Sequence, residues 1–385
     1  MRICLINSFF PPWRGGAETY TYNLARHMVR RGQEVEVFCA APPLRSGSSV
    51  IDGIRVNRLQ VNGWLYGTPI TLGLPLGLMN VEADIFHAGF PSPYNAFLVS
   101  LVSRLRKKPS VLTWHNDLPG ITKAAGLLVR LHDSFVLPTY IGQYSRIIAT
   151  TEEYAKRSPI LRRWRRKMCV VPNGVDCERF SPEVDGRAIR DGLALGDRPR
   201  AVFIGALTRW HTYKGLDTLL RAFSHLVRTV PDAALLVVGE GELRSRYERM
   251  AIDLGVRRDV FFAGDVDDSD LPRYYAASDF LVLPSKDRSE GFGLTILEAN
   301  ACGRPAIGSN VGGIPSVITH GDNGLLVPPC DPSSLCEAMR HLSMNVEERL
   351  RMGRNARRFA EKHDWSTVAA ETQSVYQKVL TDLNK

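Results

Sequence analysis

Two glutamates in the second half of the chain have the type and spacing to bind the hydroxyl groups of a sugar. Glu290 stands directly before the run Gly291-Phe292-Gly293-Leu294, which opens a helix-forming segment that contains Glu298. At 1.5 Å per helical residue, the two glutamates are separated by at most about 12 Å along the chain. A charge-assisted hydrogen bond from a hydroxyl to a carboxylate is worth about 1.5–3 kcal/mol. One glutamate can therefore hold a hexose and the other a ribose. Alternatively, both only favour a helix N-terminus.

The glycines beside these glutamates suit an anion. Two glycines at a helix start let backbone N–H groups approach a ligand closely, and the helix dipole favours negative charge there. The pair Gly312-Gly313 follows closely in the sequence. Near the start of the chain, Gly15-Gly16 lie at a second strand-to-helix turn, although a Gly-Gly pair by itself is more often only a tight turn. Such helix starts typically bind phosphate.

The elements that must position these residues follow an α/β pattern. Near-continuous apolar strands that alternate with helices are typical of parallel sheets covered on both faces. Two such sets in sequence predict two doubly wound domains, 1–180 and 181–364. A last helix at about 365–385 packs either on the second domain or back on the first. The predicted strands are 3–7, 34–39, 85–87, 110–114, 147–150 and 168–171, then 201–204, 234–238, 260–263, 280–283, 305–308 and 324–327.

The net charge of +9 is confined to the first half of the chain. Residues 1–185 contain 23 Lys and Arg against 14 Asp and Glu, whereas residues 186–385 contain 26 of each kind. Two runs, Arg104–Lys108 and Arg162–Lys167, contribute nine of the first half's cations. No motif that reads nucleic acid accompanies them, so we predict no nucleic-acid partner. A solvated helix face is one interpretation. The other is an anionic membrane, at about 1 kcal/mol per cation, and Trp164 within the second run suits it.

Cysteine usage and hydropathy indicate a cytoplasmic protein. The seven cysteines form no C-x-x-C pair and no zinc-binding spacing, which is typical of reduced thiols. Residues 59–81 carry no charge, but they contain too many Gly and Pro residues for a continuous transmembrane helix. We hypothesise that the first domain docks peripherally on the inner membrane face.

In the order and spacing of its motifs, the chain resembles the retaining glycosyltransferases of the GT-B fold, in the glycosyl transferase group 1 class, family GT4. The resemblance starts at the E-x7-E segment 290–298 and extends across nearly the whole chain. It includes GGAE at 15–18, TWHND at 113–117, PNGVD at 172–176 and GEGE at 239–242. It implies two Rossmann-like domains that face each other across a cleft, with the acceptor side in the first and the nucleotide sugar in the second.

The resemblance also implies roles for individual residues. Lys214 would clamp the diphosphate, Glu290 would orient the sugar and Glu298 would bind the ribose, while His115 would contact the transferred sugar near its reacting carbon. The common Gly-Arg-Leu pattern is Gly205-Ala206-Leu207 here, so we predict that Arg209 supplies the missing guanidinium. The remaining predicted donor-binding residues are Gly15, Gly16, Gly205, Gly239, Val266, Gly291, Phe292, Gly293 and Leu294.

We predict no metal and no cofactor. Two D-x-D patterns, at 265–267 and 268–270, resemble the metal-binding motif of other sugar transferases. They precede a helix, however, and Ser269 or Asp270 as its N-cap explains them more simply. Arg209 and Lys214 are available to neutralise the departing diphosphate.

The expected reaction is sugar transfer from a UDP- or GDP-linked donor to a hydroxyl acceptor, which we predict to be a lipid-linked or polysaccharide precursor. Two alternatives stay open. One is an enzyme like UDP-N-acetylglucosamine 2-epimerase, which releases nucleotide without an acceptor. The other is a non-catalytic protein that binds nucleotide sugar.

Overall fold

The computed structural model describes residues 1–13, 15–65, 67–118, 123–196 and 198–383. The chain divides into two compact units, Met1–Gly174 with Trp365–Lys385 and Val175–Asp364. The first unit ends six residues before position 180, where the sequence suggested the boundary. The reason is local: Val175 forms a β-bridge with Asp364 and donates its N–H to the carbonyl of His363 at 2.9 Å, which ties it to the second unit.

The first unit is built on an eight-stranded sheet. Its strands run in the order β10-β9-β8-β7-β1-β2-β4-β3, with every neighbouring pair parallel except β3 and β4. Strands β5 and β6 form a separate antiparallel hairpin. The bounds are β1 Arg2–Ile6, β2 Glu34–Ala40, β3 Gly47–Ile51, β4 Ile54–Leu59, β5 Gly63–Leu65, β6 Thr68–Ile70, β7 Ile85–Phe90, β8 Ser110–Trp114, β9 Arg146–Ala149 and β10 Met168–Val170.

Helices cover both faces of this sheet, because successive strand residues point to opposite sides. Ile3 and Leu5 of β1 enter one buried cluster, whereas Cys4 and Ile6 enter another. The helices are α1 Gly16–Arg30, α2 Leu74–Asn80, α3 Pro93–Leu105, α4 Lys123–Leu131, α5 Leu137–Ile141 and α6 Glu152–Arg157, with a π-helical turn at His132–Val136 and a 3₁₀ helix at Leu161–Lys167.

The second unit contains a six-stranded, fully parallel sheet in the order β13-β12-β11-β14-β15-β16. Its strands are β11 Arg200–Ile204, β12 Ala234–Val238, β13 Val260–Gly264, β14 Phe280–Leu283, β15 Ala306–Ser309 and β16 Gly324–Val327. Its helices are α7 Arg187–Gly192, α8 Leu216–Leu226, α9 Arg244–Asp253, α10 Leu271–Ala277, α11 Leu294–Ala301, α12 Pro332–Met344 and α13 Val346–Glu361, with 3₁₀ helices at Arg209–Lys214 and Ile314–Ser316. The prediction of an α/β protein with two doubly wound parallel sheets is confirmed.

The last helix, α14 (Trp365–Leu383), belongs to the first unit. Trp365, Val368 and Tyr376 are buried in the same cluster as apolar residues of β1 and β2. Of the two positions that the sequence left open, the helix therefore takes the one on the first unit. Among the described residues, no helix is long and apolar enough to cross a membrane. The uncharged stretch 59–81 instead forms the end of β4, the β5–β6 hairpin and α2.

Each sheet contains a point where the order of its strands reverses. In the second unit this point lies between β11 and β14, and in the first it lies between β1 and β7. In open parallel sheets, ligands bind outside the carboxyl ends of the strands at such a point. The segments after β11 and β14 contain Lys214 and Glu290, and those after β1 and β8 contain Gly15-Gly16 and His115.

Candidate active site

Lys214 and Glu290 form a buried ion pair at the reversal point of the second sheet. The Nζ of Lys214 lies 3.0 Å from the Oε2 of Glu290, and the two side chains are only 14% and 9% exposed. The hydroxyl of Ser285 also donates to this oxygen, at 3.4 Å. Burial disfavours the ammonium, but the charge of Glu290 and its hydrogen bond to the ammonium outweigh this effect and raise the pKa of Lys214. A positive charge is therefore fixed beside a hydrogen-bonding carboxylate.

Two predicted glycines make room for the lysine. A Cβ atom at Gly205 would lie 2.8 Å from the Cδ of Lys214. Gly239 has a φ of +137°, and a Cβ there would lie 2.1 Å from the carbonyl oxygen of Gly205. The N–H groups of Gly205 and Gly239 already donate to Val238 and Gly264, at 3.0 and 2.9 Å. These two glycines thus allow close packing within the protein, and their N–H groups already have backbone partners, so their role in donor binding stays a prediction.

The loop from Glu290 to Gly293 is held by backbone packing on Gly312-Gly313. A Cβ atom at Gly312 or Gly313 would lie 2.2 Å from the carbonyl oxygen of Glu290 or 2.1 Å from that of Gly291. The N–H of Gly313 donates to the carbonyl of Glu290 at 2.9 Å. Gly293, with a φ of +94°, is the N-cap residue of α11. Phe292 is buried and Leu294 begins the helix. The predicted helix start is present, and its role in donor binding stays a prediction.

Glu298 lies on α11 and accepts a hydrogen bond from the hydroxyl of Tyr275 at 2.6 Å. Burial raises the pKa of Glu298 to about 7, although the hydrogen bond from Tyr275 and the charge of Arg179 act in the opposite direction. The charge of Lys214 also lowers it, and Glu298 in turn raises the pKa of Lys214. Glu290, Lys214 and Glu298 therefore form one electrostatic cluster within the second unit.

Arg209 does not join this cluster. Its Nε lies 3.2 Å from the Oε1 of Glu242, its backbone N–H donates to the same oxygen at 2.9 Å, and its side chain is 71% exposed. His211, which the sequence interpretation passed over, is partly buried, and its Nδ1 lies 2.7 Å from the Oγ1 of Thr208. Burial and the charge of Lys214 lower the pKa of His211, while Glu290 and Glu242 oppose that shift. In the sequence, the signal for His211 was its position three residues before Lys214.

The aspartates after β13 make ion pairs with arginines. Asp268 pairs with Arg179 at 2.8 Å, and Asp270 pairs with Arg273 at 3.0 Å. Of the two predicted N-cap residues, Ser269 and Asp270, it is Asp270 that precedes α10. Its side chain makes no capping hydrogen bond. Within the part of the chain that the structure describes, no group of three or more His, Cys, Asp or Glu residues is arranged to hold a metal.

Val266, the predicted contact of the base, packs partly buried against the core cluster that contains Tyr275. The preceding strand β13 ends at Gly264, which pairs with Gly239. Val266 therefore lies in a segment fixed to the same backbone that makes room for Lys214. Its contact with a base stays a prediction.

In the first unit, His115 follows β8 and is held by its backbone and by Tyr20. Its N–H donates to the carbonyl of Phe90 at 3.0 Å, and its ring lies edge-on to that of Tyr20 at a centroid distance of 4.7 Å. Burial lowers the pKa of His115 to about 4, so the imidazole is neutral at pH 7. A neutral imidazole has one hydrogen-bond donor and one acceptor, which suits contact with a sugar hydroxyl.

A buried chain of hydrogen bonds, which the sequence did not indicate, connects the environment of His115 to α14. The hydroxyl of Tyr20 lies 3.3 Å from the Oγ1 of Thr113, which lies 2.7 Å from the Nε2 of His87. The Nδ1 of His87 is hydrogen bonded to the hydroxyl of Tyr376 on α14. Burial, and then the nearby His115, lower the pKa of His87 to about 3, so the chain is uncharged. The return of α14 to the first unit thus completes this polar network.

Gly15-Gly16 begin α1 as predicted, but a side chain already approaches this helix start. A Cβ atom at Gly15 would lie 2.3 Å from the Oε2 of Glu18. Burial raises the pKa of Glu18, so this group is more readily neutralised than an exposed carboxylate. For an anion to bind here, the Glu18 carboxylate would have to move away or become protonated. The anion-binding role of Gly15-Gly16 stays a prediction.

The basic runs separate into packed and exposed side chains. Arg106 donates to the carbonyls of Leu78 and Val81 at 2.8 and 2.6 Å, and Lys167 donates to that of Tyr144 at 3.0 Å. Trp164 packs so closely on Gly142 that a Cβ there would lie 2.9 Å from the indole ring. Trp164 is therefore partly packed against the first unit, and its contact with a membrane stays a prediction. The side chains that remain exposed are Arg104, Lys107, Arg162, Arg163, Arg165 and Arg166.

Comparison with known proteins gives consistent matches over both units. The family model "Glycosyl transferases group 1" matches residues 187–359, and the model "Glycosyltransferase Family 4" matches residues 14–179. A GDP-mannose-dependent alpha-(1-6)-phosphatidylinositol monomannoside mannosyltransferase of Mycolicibacterium smegmatis is 31% identical, over 95% of this chain and 96% of that protein. D-rhamnosyltransferase WbpZ of Pseudomonas aeruginosa is 33% identical over 71% of this chain and 68% of that protein. Sucrose-phosphate synthase of Thermosynechococcus elongatus has a similar structure, with a TM-score of 0.80, 24% identity and coverage of 99% of each chain.

Proposed function

We propose, since this chain belongs to the group 1 glycosyl transferases, that it transfers a hexosyl unit with retention of anomeric configuration to a hydroxyl of a lipid-linked or polysaccharide-precursor acceptor. The observation that carries the donor assignment is the cluster of Lys214 with Glu290 and Glu298 at the reversal point of the second sheet. In a nucleotide sugar, a diphosphate joins a ribose to a hexose. A fixed cation suits the diphosphate, and the two carboxylates suit the hydroxyl groups of the two sugars.

GDP-mannose is the donor to test first. The relative from Mycolicibacterium smegmatis is named as GDP-mannose-dependent and acts on a phosphatidylinositol mannoside. Relatives that are 28% and 33% identical are named as an O-antigen chain mannosyltransferase and a D-rhamnosyltransferase. These names support a mannose-type sugar and a glycolipid or polysaccharide acceptor. UDP-linked sugars are the comparison donors.

The proposed reaction assigns one task to each residue of the cluster. The bond between C1 of the sugar and the diphosphate oxygen breaks, and a bond from the acceptor oxygen to C1 forms on the same face. The acceptor proton passes to an oxygen of the departing nucleoside diphosphate. Lys214 stabilises the charge that develops on that group, Glu290 orients the sugar and Glu298 accepts hydrogen bonds from the ribose. The proposed contact of His115 with the transferred sugar uses its neutral imidazole.

The decisive assay uses the purified protein with radiolabelled GDP-mannose and a bacterial lipid extract. We expect label in the organic phase only when both donor and extract are present. Nucleotide release that is independent of the extract would instead indicate a 2-epimerase-like or hydrolytic enzyme, and donor binding without any turnover would indicate a binding protein. Activity that survives EDTA is expected from a metal-independent site, whereas loss with EDTA and recovery with Mg²⁺ would overturn metal independence.

We further propose that the first unit docks on an anionic membrane through an apolar helix face. Phe97, Leu101 and Leu105 recur every four residues on α3, which places them on one side of the helix, and all three are exposed. Helix α5 packs on both α3 and the π-helical turn, which contacts α4. The π-helical turn and α4 expose further large apolar side chains, namely Leu127, Leu128, Leu131, Phe135 and Val136. Contiguous exposed apolar residues of this kind mark interaction surfaces.

Exposed cations accompany this apolar surface. Arg104 and Lys107 lie beside Leu105, and the ring of Phe97 contacts that of Tyr140 on α5 at 6.0 Å. Trp164 belongs to the second basic run and packs on Gly142, directly after α5. The second basic run therefore lies near α5, which also contacts Phe97. Apolar residues that insert and cations that meet lipid headgroups are the two parts of an interfacial binding site. We propose the cytoplasmic face of the membrane for this contact.

Vesicle flotation tests the docking surface. Wild-type protein is expected to float with vesicles that contain phosphatidylglycerol and not with pure phosphatidylcholine vesicles. The double variant Leu101→Glu, Leu105→Glu should stay in the soluble fraction. Leu350→Glu, which changes an exposed leucine on α13, serves as the matched control and should float as the wild type does. Equal flotation of all three proteins would contradict this surface.

A further inference from the structure

Thr208, His211 and Lys214 lie along one side of the 3₁₀ helix Arg209–Lys214. This helix has three residues per turn, so side chains three positions apart are eclipsed. The Oγ1 of Thr208 lies 2.7 Å from the Nδ1 of His211, and the Nζ of Lys214 at the end of the row meets Glu290 at 3.0 Å. Arg209 is two positions from His211, or two thirds of a turn, and pairs with Glu242. His211 therefore lies on the side of the helix that ends at Lys214 and the donor cluster, whereas Arg209 lies on a different side.

The surroundings of His211 leave it as a neutral hydrogen-bond donor. Burial and the charge of Lys214 lower the pKa of His211, so the imidazole is uncharged at pH 7, even though Glu290 and Glu242 act in the opposite direction. When the Thr208 hydroxyl donates to Nδ1, the ring proton lies on Nε2. This Nε2 makes no hydrogen bond to any residue that the structure describes. A directional N–H group thus remains available near the fixed ammonium of Lys214.

We propose that His211 contacts the donor, with its Nε2–H donating to an oxygen of the diphosphate whose charge Lys214 neutralises. This deepens the proposed function and rests on it. Position 206, where the common pattern has an arginine, is an alanine and cannot donate a side-chain hydrogen bond. His211 would supply that hydrogen bond instead. Thr208 is a positioning residue, because it acts on the ligand only through the orientation and tautomer of His211.

Calorimetric titration with GDP tests this contact without any acceptor or turnover. A hydrogen bond to a charged partner corresponds to about a tenfold to hundredfold change in affinity, and we expect His211→Ala to weaken GDP binding by that factor. His211→Gln, whose amide nitrogen can take the place of Nε2, should recover most of the affinity, whereas His211→Asn should not. Failure of wild-type protein to bind GDP would contradict the proposed function itself. GDP binding that depends on Lys214 but not on His211 would overturn only this inference.

Thr208→Val distinguishes a positioning role from general damage to the loop. It removes the hydroxyl at nearly constant volume, and we expect about a threefold to tenfold loss of GDP affinity in the wild-type background and none in the His211→Ala background. Equal losses in both backgrounds would contradict the linkage through His211.

Two further variants complete the comparison. His225→Gln changes an exposed histidine on α8 and should leave GDP affinity unchanged. Arg209→Ala decides between the two candidate residues. A large loss of GDP affinity there, together with an unaffected His211→Ala, would assign the diphosphate contact to Arg209 and overturn the role of His211. Circular dichroism melts of each variant verify that it is folded.

Discussion

Lys214 and Glu290 are separated by 76 residues in the sequence, yet their charged atoms lie 3.0 Å apart in a buried site. Strands β11 and β14 lead into their segments, and these strands are hydrogen-bonded neighbours at the point where the order of the sheet reverses. The ion pair is therefore a direct consequence of sheet topology. We therefore expect stability and the proposed donor binding to depend on the same two side chains.

Replacing Lys214 by Met should strongly reduce turnover and destabilise the second unit at the same time. The methionine keeps most of the stem volume but leaves Glu290 buried without its partner, which costs about 3–5 kcal/mol. Loss of one group that stabilises transition-state charge lowers kcat by about 10²–10³. Urea unfolding and the mannosyl transfer assay measure the two effects separately. The double variant Lys214→Met, Glu290→Gln should regain stability without regaining activity, and near-normal transfer by Lys214→Met would rule out the diphosphate clamp.

Glu298 should make donor binding pH-dependent near neutrality. Because its pKa is about 7, against a usual value of 4.5, the folded apoprotein binds more protons at this site than the unfolded chain does between these two pH values. Its stability contribution therefore falls as pH rises through that range, while the carboxylate that accepts ribose hydroxyls becomes populated. The Kd for GDP-mannose should decrease from pH 6 to pH 7.5, by at most tenfold per pH unit.

Glu298→Gln should flatten that pH profile, because the amide does not titrate. Glu337→Gln, an exposed glutamate on α12 that pairs with Arg340, is the matched control and should keep the wild-type profile. A pH-independent Kd in the wild type, or an unchanged donor affinity in Glu298→Gln or Glu298→Ala, would count against the ribose role.

Gly239→Ala should destabilise the second unit and weaken GDP binding. The new Cβ would lie 2.1 Å from the carbonyl of Gly205, on a backbone whose φ of +137° is strained for alanine. Strain of this kind costs about 1–3 kcal/mol, and the displaced Gly205 would disturb the stem of Lys214. Gly192→Ala, at the end of α7 with no atom within 4 Å of its new Cβ, should be neutral or slightly stabilising in the same urea titrations. Equal stability of the two variants would contradict the close approach of the two backbones.

Tyr376→Phe should destabilise the first unit and reduce transfer while leaving GDP affinity unchanged. The substitution removes the hydroxyl that bonds to the Nδ1 of His87, and an unsatisfied buried polar atom costs about 1–3 kcal/mol. Thermal unfolding, the mannosyl transfer assay and GDP titration measure the three quantities. Thr381→Val, on an exposed turn of the same helix, should change stability by less than about 0.5 kcal/mol. A Tyr376→Phe variant as stable and as active as the wild type would show that the polar chain has no role.

All described strands except β3 to β6, the order of the motifs and the helix start at Gly293 were predictable because they depend on local apolar patterns and turn residues. The E-x7-E pair was also accessible, since both glutamates belong to one segment. The partners of these residues were not, because Tyr275 reaches Glu298 and Ser285 reaches Glu290 only after the strands have packed. The packing of Trp164 was not predictable for the same reason: the sequence does not show that Gly142 leaves space for an indole ring.

The residues after Gly205 illustrate a second limit. Arg209 was predicted as the substitute because it is the nearest guanidinium to Ala206 in the sequence, whereas the 3₁₀ geometry of this turn aligns Thr208, His211 and Lys214. The type of helix is decided by tertiary contacts. One is the hydrogen bond of 2.7 Å from the N–H of Lys286 to the carbonyl of Tyr213, which fixes the turn against the segment after β14.

The central proposal is retaining sugar transfer from a nucleotide diphosphate donor, and the configuration of the product tests it most directly. The purified protein is incubated with GDP-α-D-mannose and the lipid acceptor fraction, and the new glycosidic linkage is examined by the one-bond C1–H1 coupling in NMR. Retention predicts an α-linked mannoside that is absent when Lys214→Met replaces the wild type. A β-linked product, or no acceptor-dependent product with any GDP- or UDP-linked hexose, would contradict it.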